Sequence, residues 1–148
     1  PEPFYQTYCG GSLAPVQKTA AQLAGRVHLE VTSLLLPGEN DREEDLAALI
    51  SFIAGLDRKI PLHFSRYFPQ YQMKIPPTPL SSLKKAFYLA KEELPYVYLG
   101  NIPDDGIFHN TYCPECGALW VERRGFTATV TVQDRCCSGC GREVDLVR

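Results

Sequence analysis

Apolar residues recur along the first two thirds of the chain at two spacings, and each spacing predicts one kind of element. Apolar positions three and four apart indicate helices over residues 12–25, 41–55 and 78–94. Short runs of alternating or continuous apolar residues predict strands at residues 28–36, 60–68 and 96–100. Asp41 and Thr78 stand where N-terminal caps of the second and third helices are expected. Strands separated by helices indicate βαβ units, so the predicted fold class is α/β with a parallel sheet.

The first two predicted strands are polar on one side. Polar residues alternate with apolar ones in both: His28, Glu30 and Thr32 in the first strand, and His63, Ser65 and Tyr67 in the second. Parallel strands are normally covered on both faces and read as nearly continuous apolar runs. A polar face on consecutive parallel strands therefore indicates a ligand-lined interior, as in a β/α barrel. A sheet edge that simply faces water is the alternative interpretation.

The cysteines are concentrated at the C-terminal end. Five of the six lie between residues 113 and 140, and four of them form two Cys-x-x-Cys pairs, each followed by glycine. A two-residue gap lets both thiolates of a pair reach one ion, and two pairs complete a tetrahedron with no open position. The pattern therefore predicts a structural metal site whose ligands are Cys113, Cys116, Cys137 and Cys140.

Zinc is the expected metal, and iron in a rubredoxin-like site is the main alternative because thiolate tetrahedra suit both ions. The doublet Cys136-Cys137 leaves open whether Cys136 replaces Cys137 as a ligand. Cysteines that cluster in one short segment are typical of metal sites rather than of disulfide frameworks. This clustering therefore indicates a reducing, cytoplasmic location. Cys9 stands alone near the N-terminus and is predicted to be a small buried apolar residue.

The segment between the two cysteine pairs has the pattern of a β-hairpin. Residues 118–122 and 126–132 are predicted strands on either side of a turn at Arg124-Gly125. The chain therefore divides into an α/β part at residues 1–108 and a zinc-ribbon-like, rubredoxin-like module at residues 109–148.

Charge and composition narrow the classes of partner. The formal net charge is -2 and charged residues make up 22% of the chain, which argues against a nucleic-acid-binding surface. No apolar run approaches the roughly 20 residues that span a bilayer, so no membrane partner is expected. The start Pro1-Glu2-Pro3-Phe4 lacks a methionine and the features of a secretory signal, so we expect it to be the cut edge of a longer protein.

Six runs of residues form a combined signature: His28 to Thr32, Leu36 to Asp41, Pro61 to Tyr67, Pro77 to Pro79, Tyr96 to Asn101 and Asn110 to Pro114. Together they resemble the C-terminal half of radical S-adenosylmethionine enzymes. The best-matching group is the AmmeMemoRadiSam-system subgroup, relatives of the pyruvate formate-lyase activating enzymes. The likeness covers nearly the whole chain.

The resemblance implies a partial β/α barrel in which a [4Fe-4S] cluster binds S-adenosylmethionine and reductively cleaves it to start radical chemistry. This chain would supply the later barrel strands, and its contacts with the nucleoside or substrate would come from Glu30, Thr32, His63, Ser65 and Arg66. The implied partners are the missing N-terminal barrel half and a substrate, which is either a protein or a small molecule. Because uncovered strand edges pair readily, we also expect the fragment to self-associate.

The chain departs from the family in two respects: Phe68 and Gln70 stand where His and Asp are expected, and the cluster-binding cysteines are missing. It contains no Cys-x-x-x-Cys-x-x-Cys motif, so the cluster would belong to the missing half and this chain alone is expected to be inactive. The sequence indicates no catalytic residue. A second hypothesis is a non-catalytic α/β binding module that presents a zinc ribbon to a protein partner.

Overall fold

The computed structural model describes residues 1–103, 106–132 and 135–146. Its helices are α1 (Glu2–Phe4), which continues into a π-helical turn (Tyr5–Cys9), α2 (Leu13–Leu23), α3 (Glu43–Leu56) and α4 (Leu80–Lys91). Its strands are β1 (Val31–Leu35), β2 (Leu62–Arg66), β3 (Val97–Gly100), β4 (Thr111–Tyr112), β5 (Leu119–Arg124) and β6 (Thr127–Val130), with a 3₁₀ turn (Gly106–Phe108) before β4. No helix in these ranges is long and apolar enough to cross a bilayer.

Strands β1, β2 and β3 form a parallel sheet in that order, which confirms the predicted α/β class. Side chains alternate between the two faces of a strand, so every second residue shares a face. The register therefore puts two successive rungs on one face: Thr32, His63 and Tyr98, then Leu34, Ser65 and Gly100.

Helices α3 and α4 cover the opposite face of the sheet, where the larger hydrophobic core lies. Leu35, Phe64 and Leu99 contribute one residue from each strand, and none is more than 3% exposed. The helices add buried residues at helical spacing: Leu46, Ile50 and Ile53 from α3, and Leu83, Ala86, Phe87 and Ala90 from α4. Burying each large side chain contributes roughly 1.5–3 kcal/mol, so this face holds the βα units together.

The start of α3 differs from the prediction. Asp41 does not cap the helix, because its carboxylate accepts a hydrogen bond from the Gly38 backbone N–H at 2.7 Å and closes the preceding turn. Arg42 occupies the cap position, and three acidic residues fill the first turn. Their charge interacts favourably with the free N–H groups at the helix start, which replaces the missing cap.

Thr78 is likewise not the cap of α4, which begins after Pro79 without a side-chain cap. The Thr78 hydroxyl is completely buried; it donates to the Leu35 carbonyl at 2.6 Å and accepts from the Tyr67 backbone N–H at 3.0 Å. Thr78 therefore joins the carboxyl ends of β1 and β2. Tyr67, predicted on the polar face, is only 5% exposed, because it follows the end of β2 and turns into the protein.

The N-terminal segment also corrects a prediction. Cys9 is exposed rather than buried. It ends the π-helical turn just before Gly10, whose φ is +61°, and neither this turn nor α1 and α2 contain a buried residue. The segment lies on the surface, so a small apolar side chain there finds no core to enter.

Strands β4, β5 and β6 form a second, antiparallel sheet. The β5–β6 pairing runs from Val121↔Val130 to Arg124↔Thr127 around Gly125, whose φ of +57° suits the turn, and it confirms the predicted hairpin. Strand β4 was not predicted, because two residues are too few to show a period. We call the segment 109–146, as far as it is described, the ribbon.

The ribbon packs against the parallel sheet at β3. A second hydrophobic cluster joins residues of both: Tyr96, Cys113, Trp120, Val121, Val132 and Cys137, with Tyr98 packed against it. Tyr98 lies on the face that α3 and α4 leave uncovered. The ribbon therefore covers the β3 end of that face.

The replacement Thr78→Val tests the junction between β1 and β2. Valine matches threonine in shape but leaves the buried Tyr67 N–H and Leu35 carbonyl without their partner, so we expect a loss of about 1–3 kcal/mol in the free energy of unfolding. Urea denaturation measures it. The control is Thr129→Val on the exposed strand β6, which should change stability by less than about 0.5 kcal/mol. Equal stability of the two variants would contradict the role given to Thr78.

Candidate metal centre and adjoining pocket

Each Cys-x-x-Cys pair forms the same tight turn. In the first, the Gly117 N–H donates to the Cys113 carbonyl at 2.9 Å; in the second, the Gly141 N–H donates to the Cys137 carbonyl at 2.8 Å. Both glycines have φ near the left-handed region, at +73° and +76°, which L side chains rarely adopt. Glycine after each pair is therefore required by the turn that directs both thiols to one side.

The two turns bring four thiols together. The Sγ atoms of Cys113 and Cys140 are 3.7 Å apart, those of Cys116 and Cys137 are 3.5 Å apart, and all four lie within 4.8 Å of one another. A tetrahedron with metal–sulfur bonds of about 2.3 Å has edges of about 3.8 Å. The four cysteines thus have the spacing needed to hold one ion, whereas the ligands of a multi-iron cluster would be farther apart.

The surroundings also suit thiolate ligands. The Trp120 indole is completely buried, and its N–H has no partner of hydrogen-bonding geometry in the described part of the chain. It nevertheless lies close enough to Cys137 to be the main cause that lowers the pKa of that thiol to about 6, with the backbone N–H groups of Gly139 and Cys140 adding to it against the effect of burial. A thiolate at Cys137 would give this buried N–H an anionic neighbour.

The structure selects Cys137 over Cys136. Cys137 is 2% exposed and belongs to the group of four thiols. Cys136 is exposed, and its backbone forms an isolated bridge with Glu143. Since neighbouring residues in an extended segment point in opposite directions, only one of the doublet can face the ion.

An ion-pair network fixes the second cysteine turn to the parallel sheet. Arg142 contacts Glu115 at 3.1 Å and Asp145 at 3.0 Å. Asp145 also accepts from Lys59 at 2.8 Å and from the Tyr96 hydroxyl at 2.7 Å. Burial raises the pKa of Asp145, but these hydrogen bonds outweigh it, and the pKa lies below the ordinary value. The carboxylate therefore stays charged and links the ribbon to the chain before β2 and β3.

A cavity of about 880 Å³ lies between the ribbon and the polar face of the parallel sheet. All three histidines of the chain line it, together with residues from both walls: Glu30, Lys59, Tyr96, Tyr98, Thr111, Arg123 and Asp145. We call this cavity the sheet–ribbon pocket. Glu30 immediately precedes β1, and His63 and Tyr98 are the second residues of β2 and β3, so the pocket opens at the amino ends of the strands.

Glu30 joins two histidines on the sheet side of the pocket. One carboxylate oxygen accepts from His28 Nε2 and the other from His63 Nε2, both at 2.7 Å. Burial raises the pKa of Glu30, but the hydrogen bonds and charges of the two histidines outweigh it, so the pKa lies below the ordinary value. The His63 ring stacks on Tyr98 with ring centres 5.1 Å apart, which fixes its orientation.

Arg123 forms the ribbon side of the pocket. Its Nη1 donates to the His109 carbonyl at 2.9 Å and to the Thr111 hydroxyl at 2.8 Å, and its guanidinium lies over the Tyr98 ring at 5.3 Å. The same Thr111 hydroxyl bonds to the Tyr98 hydroxyl at 2.8 Å. The sheet and the ribbon are therefore joined at the pocket by one hydrogen-bonded group.

The residues proposed to contact a nucleoside or substrate do not form one group. Glu30 and His63 are joined in the sheet–ribbon pocket, and Thr32 stands beside His63 in the register. Ser65 instead accepts from Asn101 Nδ2 at 3.1 Å, and Arg66 donates to the Thr78 carbonyl at 2.8 Å. These two lie toward the carboxyl end of β2.

Sequence reasoning missed the other half of the pocket. Tyr96 and Tyr98 alternate with apolar residues in the third strand, so the polar-face argument extends to that strand and would have included Tyr98. Thr111 and Arg123 carry no such signal. They reach the pocket only because the ribbon folds back onto β3.

Because Cys137 belongs to the group of four thiols and Cys136 does not, serine substitutions at these two residues should affect metal binding differently. Cys137→Ser should reduce bound metal from about one ion per chain to a small fraction of that, because serine is a poor ligand for zinc or iron. Cys136→Ser should retain the full amount. Elemental analysis of both purified variants measures the stoichiometry and also distinguishes zinc from iron. Loss of metal in Cys136→Ser with retention in Cys137→Ser would reverse the assignment.

Comparison with known proteins relates the chain to an archaeal protein without a described function. It is 44% identical over 153 aligned residues to an uncharacterized protein of Methanocaldococcus jannaschii, MJ0808. The match covers 97% of this chain and 45% of that relative, so the chain spans less than half of the relative's length. No family model and no solved structure matches the chain.

Proposed function

We propose that this chain forms the C-terminal part of a radical S-adenosylmethionine enzyme related to the glycyl-radical-enzyme activating enzymes. The proposal rests on the two faces of the parallel sheet. The two longest helices, α3 and α4, cover one face, and the other face presents Thr32, His63, Ser65 and Tyr98. Such a face is typical of barrel strands that surround a ligand. The archaeal relative, more than twice as long as this chain, has room for the remaining strands.

In such an enzyme, the N-terminal half of the barrel would hold the iron–sulfur cluster, and this chain would contribute only contacts to S-adenosylmethionine or substrate. A [4Fe-4S] cluster reduces S-adenosylmethionine, and this cleavage supplies the radical that abstracts hydrogen from the substrate. Apart from the four cysteines of the ribbon, the described residues contain no group of three side chains that could hold a metal. The cluster therefore does not fit this chain and would be held by an N-terminal barrel half, without which the chain would be inactive.

The carboxyl ends of the strands are the part of this chain that we assign to S-adenosylmethionine or substrate. Ligands of β/α barrels bind at that end, because the loops after the strands surround it. Ser65 and Arg66 are the polar residues of β2 nearest to it, and Thr32 lies one rung farther in. Thr32 and its register partner His63, with Glu30 before them, stand closer to the amino end, where they would contact only a deeply inserted part of the substrate.

We assign zinc to the ribbon, with a structural role. Four thiolates complete a tetrahedron and leave no position for water or substrate. All six cysteines are free rather than joined in disulfides, which supports the cytoplasmic location expected from the sequence.

The proposal is tested on the longer protein that contains these residues. After anaerobic reconstitution with iron and sulfide and reduction, it should show the visible absorbance of an iron–sulfur cluster and release 5′-deoxyadenosine from S-adenosylmethionine. The control is Cys116→Ser in the same protein, which should retain the cluster absorbance because the ribbon cysteines are spaced for a single ion. A folded protein with neither cluster nor 5′-deoxyadenosine would overturn the proposal.

One observation favours a second candidate, a non-catalytic module that presents the ribbon to a protein partner. Phe126, at the tip of the β5–β6 hairpin, is fully exposed, and β6 is exposed along its whole length. An exposed aromatic side chain beside an exposed strand is a common feature of protein-binding surfaces. A longer protein that folds without binding a cluster would support this candidate.

A further inference from the structure

We propose that the sheet–ribbon pocket binds a small organic anion, whose carboxylate or phosphate is held by Arg123 and whose body lies along the His63 ring. The pocket opens at the amino ends of the parallel strands, whereas the S-adenosylmethionine and substrate side assigned above lies toward their carboxyl ends. The inference therefore goes beyond the proposed function and holds whether or not the protein carries out radical chemistry.

Arg123 is the group that recognises the anion. No carboxylate of the described residues lies within 4 Å of its guanidinium, although it is partly buried. Nη1 donates to the neutral oxygens of His109 and Thr111, and the guanidinium also interacts with the Tyr98 hydroxyl. Within the described part of the chain, Nη2 and Nε make no hydrogen bond of good geometry, so their N–H groups can bind a carboxylate or phosphate, and the planar fork of arginine suits both.

The side chain of Arg123 is already held in position for such a ligand. Two hydrogen bonds fix one edge of the guanidinium, and the Tyr98 ring supports its face at 5.3 Å. Little side-chain entropy remains to be lost when an anion binds, which favours affinity. An arginine whose role was only to stabilise the ribbon would ordinarily be paired with an acidic residue when partly buried.

The acidic groups of the pocket do not repel an anion strongly, because each already has donors. Glu30 accepts from His28 and His63. Asp145 accepts from Lys59 and Tyr96, and Asp57 accepts from the Lys59 backbone N–H at 2.8 Å. Among the described residues, Arg123 is thus a cation without an acidic partner, in a pocket whose carboxylates already accept hydrogen bonds.

The shape and lining of the pocket set the class of ligand. A volume of about 880 Å³ fits a small organic molecule rather than a folded partner. The Tyr98 ring is already in contact with His63 and Arg123, so the outer face of the His63 ring is the flat surface on which a ring or another planar group can lie. A ligand that bears one oxyanion and a planar body fits both features.

The experiment is an NMR titration of the metal-loaded chain with two separate probes, inorganic phosphate and benzoate. Saturable shifts of the Arg123 Nε–H, the His63 ring and the Tyr98 ring are expected with at least one probe. Saturation by phosphate alone indicates a phosphate ester, and saturation by benzoate alone indicates a carboxylate with a planar body. No saturable shift at these residues with either probe would overturn the proposal.

Variants establish whether Arg123 holds the anion. Arg123→Gln should weaken binding by about tenfold or more, and Arg123→Lys, which keeps the charge but loses the planar fork, by a smaller factor. The matched control is Arg124→Gln, which removes the same charge from the adjacent exposed residue and should change affinity less than about twofold. Metal content and the Trp120 indole resonance verify that each variant is folded. Unchanged affinity in folded Arg123→Gln would refute the assignment.

Discussion

The two long helices cover only one face of the three-stranded parallel sheet. The side chains of the other face must therefore contact water, a ligand or another part of the chain. This constraint governs the rest of the structure. On the covered face, each strand places an almost fully buried apolar side chain against α3 and α4. On the other, the residues are polar or half-exposed, because bare apolar side chains there would expose a hydrophobic patch to water. At β3 that face is covered by the ribbon, and beside the ribbon it opens into the sheet–ribbon pocket.

The ribbon can cover β3 only if it keeps its shape, and its own core is small. Its cluster contains six buried residues, one of which, Tyr96, immediately precedes β3, and two of which are candidate metal ligands. A module of this size rarely buries enough apolar surface to fold alone, and a tetrahedral metal ion at the four cysteines would supply the missing stability. The metal centre would therefore support one wall of the pocket, and Asp145 links that wall to Lys59 and Tyr96 before β2 and β3.

The sequence correctly predicted the elements that depend on a short, regular spacing of residues. Helical and strand periods identified the βα units, and the Cys-x-x-Cys spacing identified the four thiols. It failed where an alternative partner competed for a side chain. Asp41 had the pattern of a cap, but the Gly38 N–H in the preceding turn takes its carboxylate. Thr78 was expected to cap α4, but two strand ends bind its hydroxyl. Such competition depends on tertiary contacts that no local pattern encodes, and so does the approach of Arg123 to Tyr98.

The claim at the centre of the account is that the metal holds the ribbon against an otherwise stable parallel sheet. Amide hydrogen exchange of the metal-loaded and the metal-stripped, reduced chain tests it most directly, since it reports stability segment by segment. The account predicts that removing the metal abolishes protection in β4, β5 and the second cysteine turn, while β2 and α3 remain protected. Equal protection of the ribbon with and without metal would contradict it.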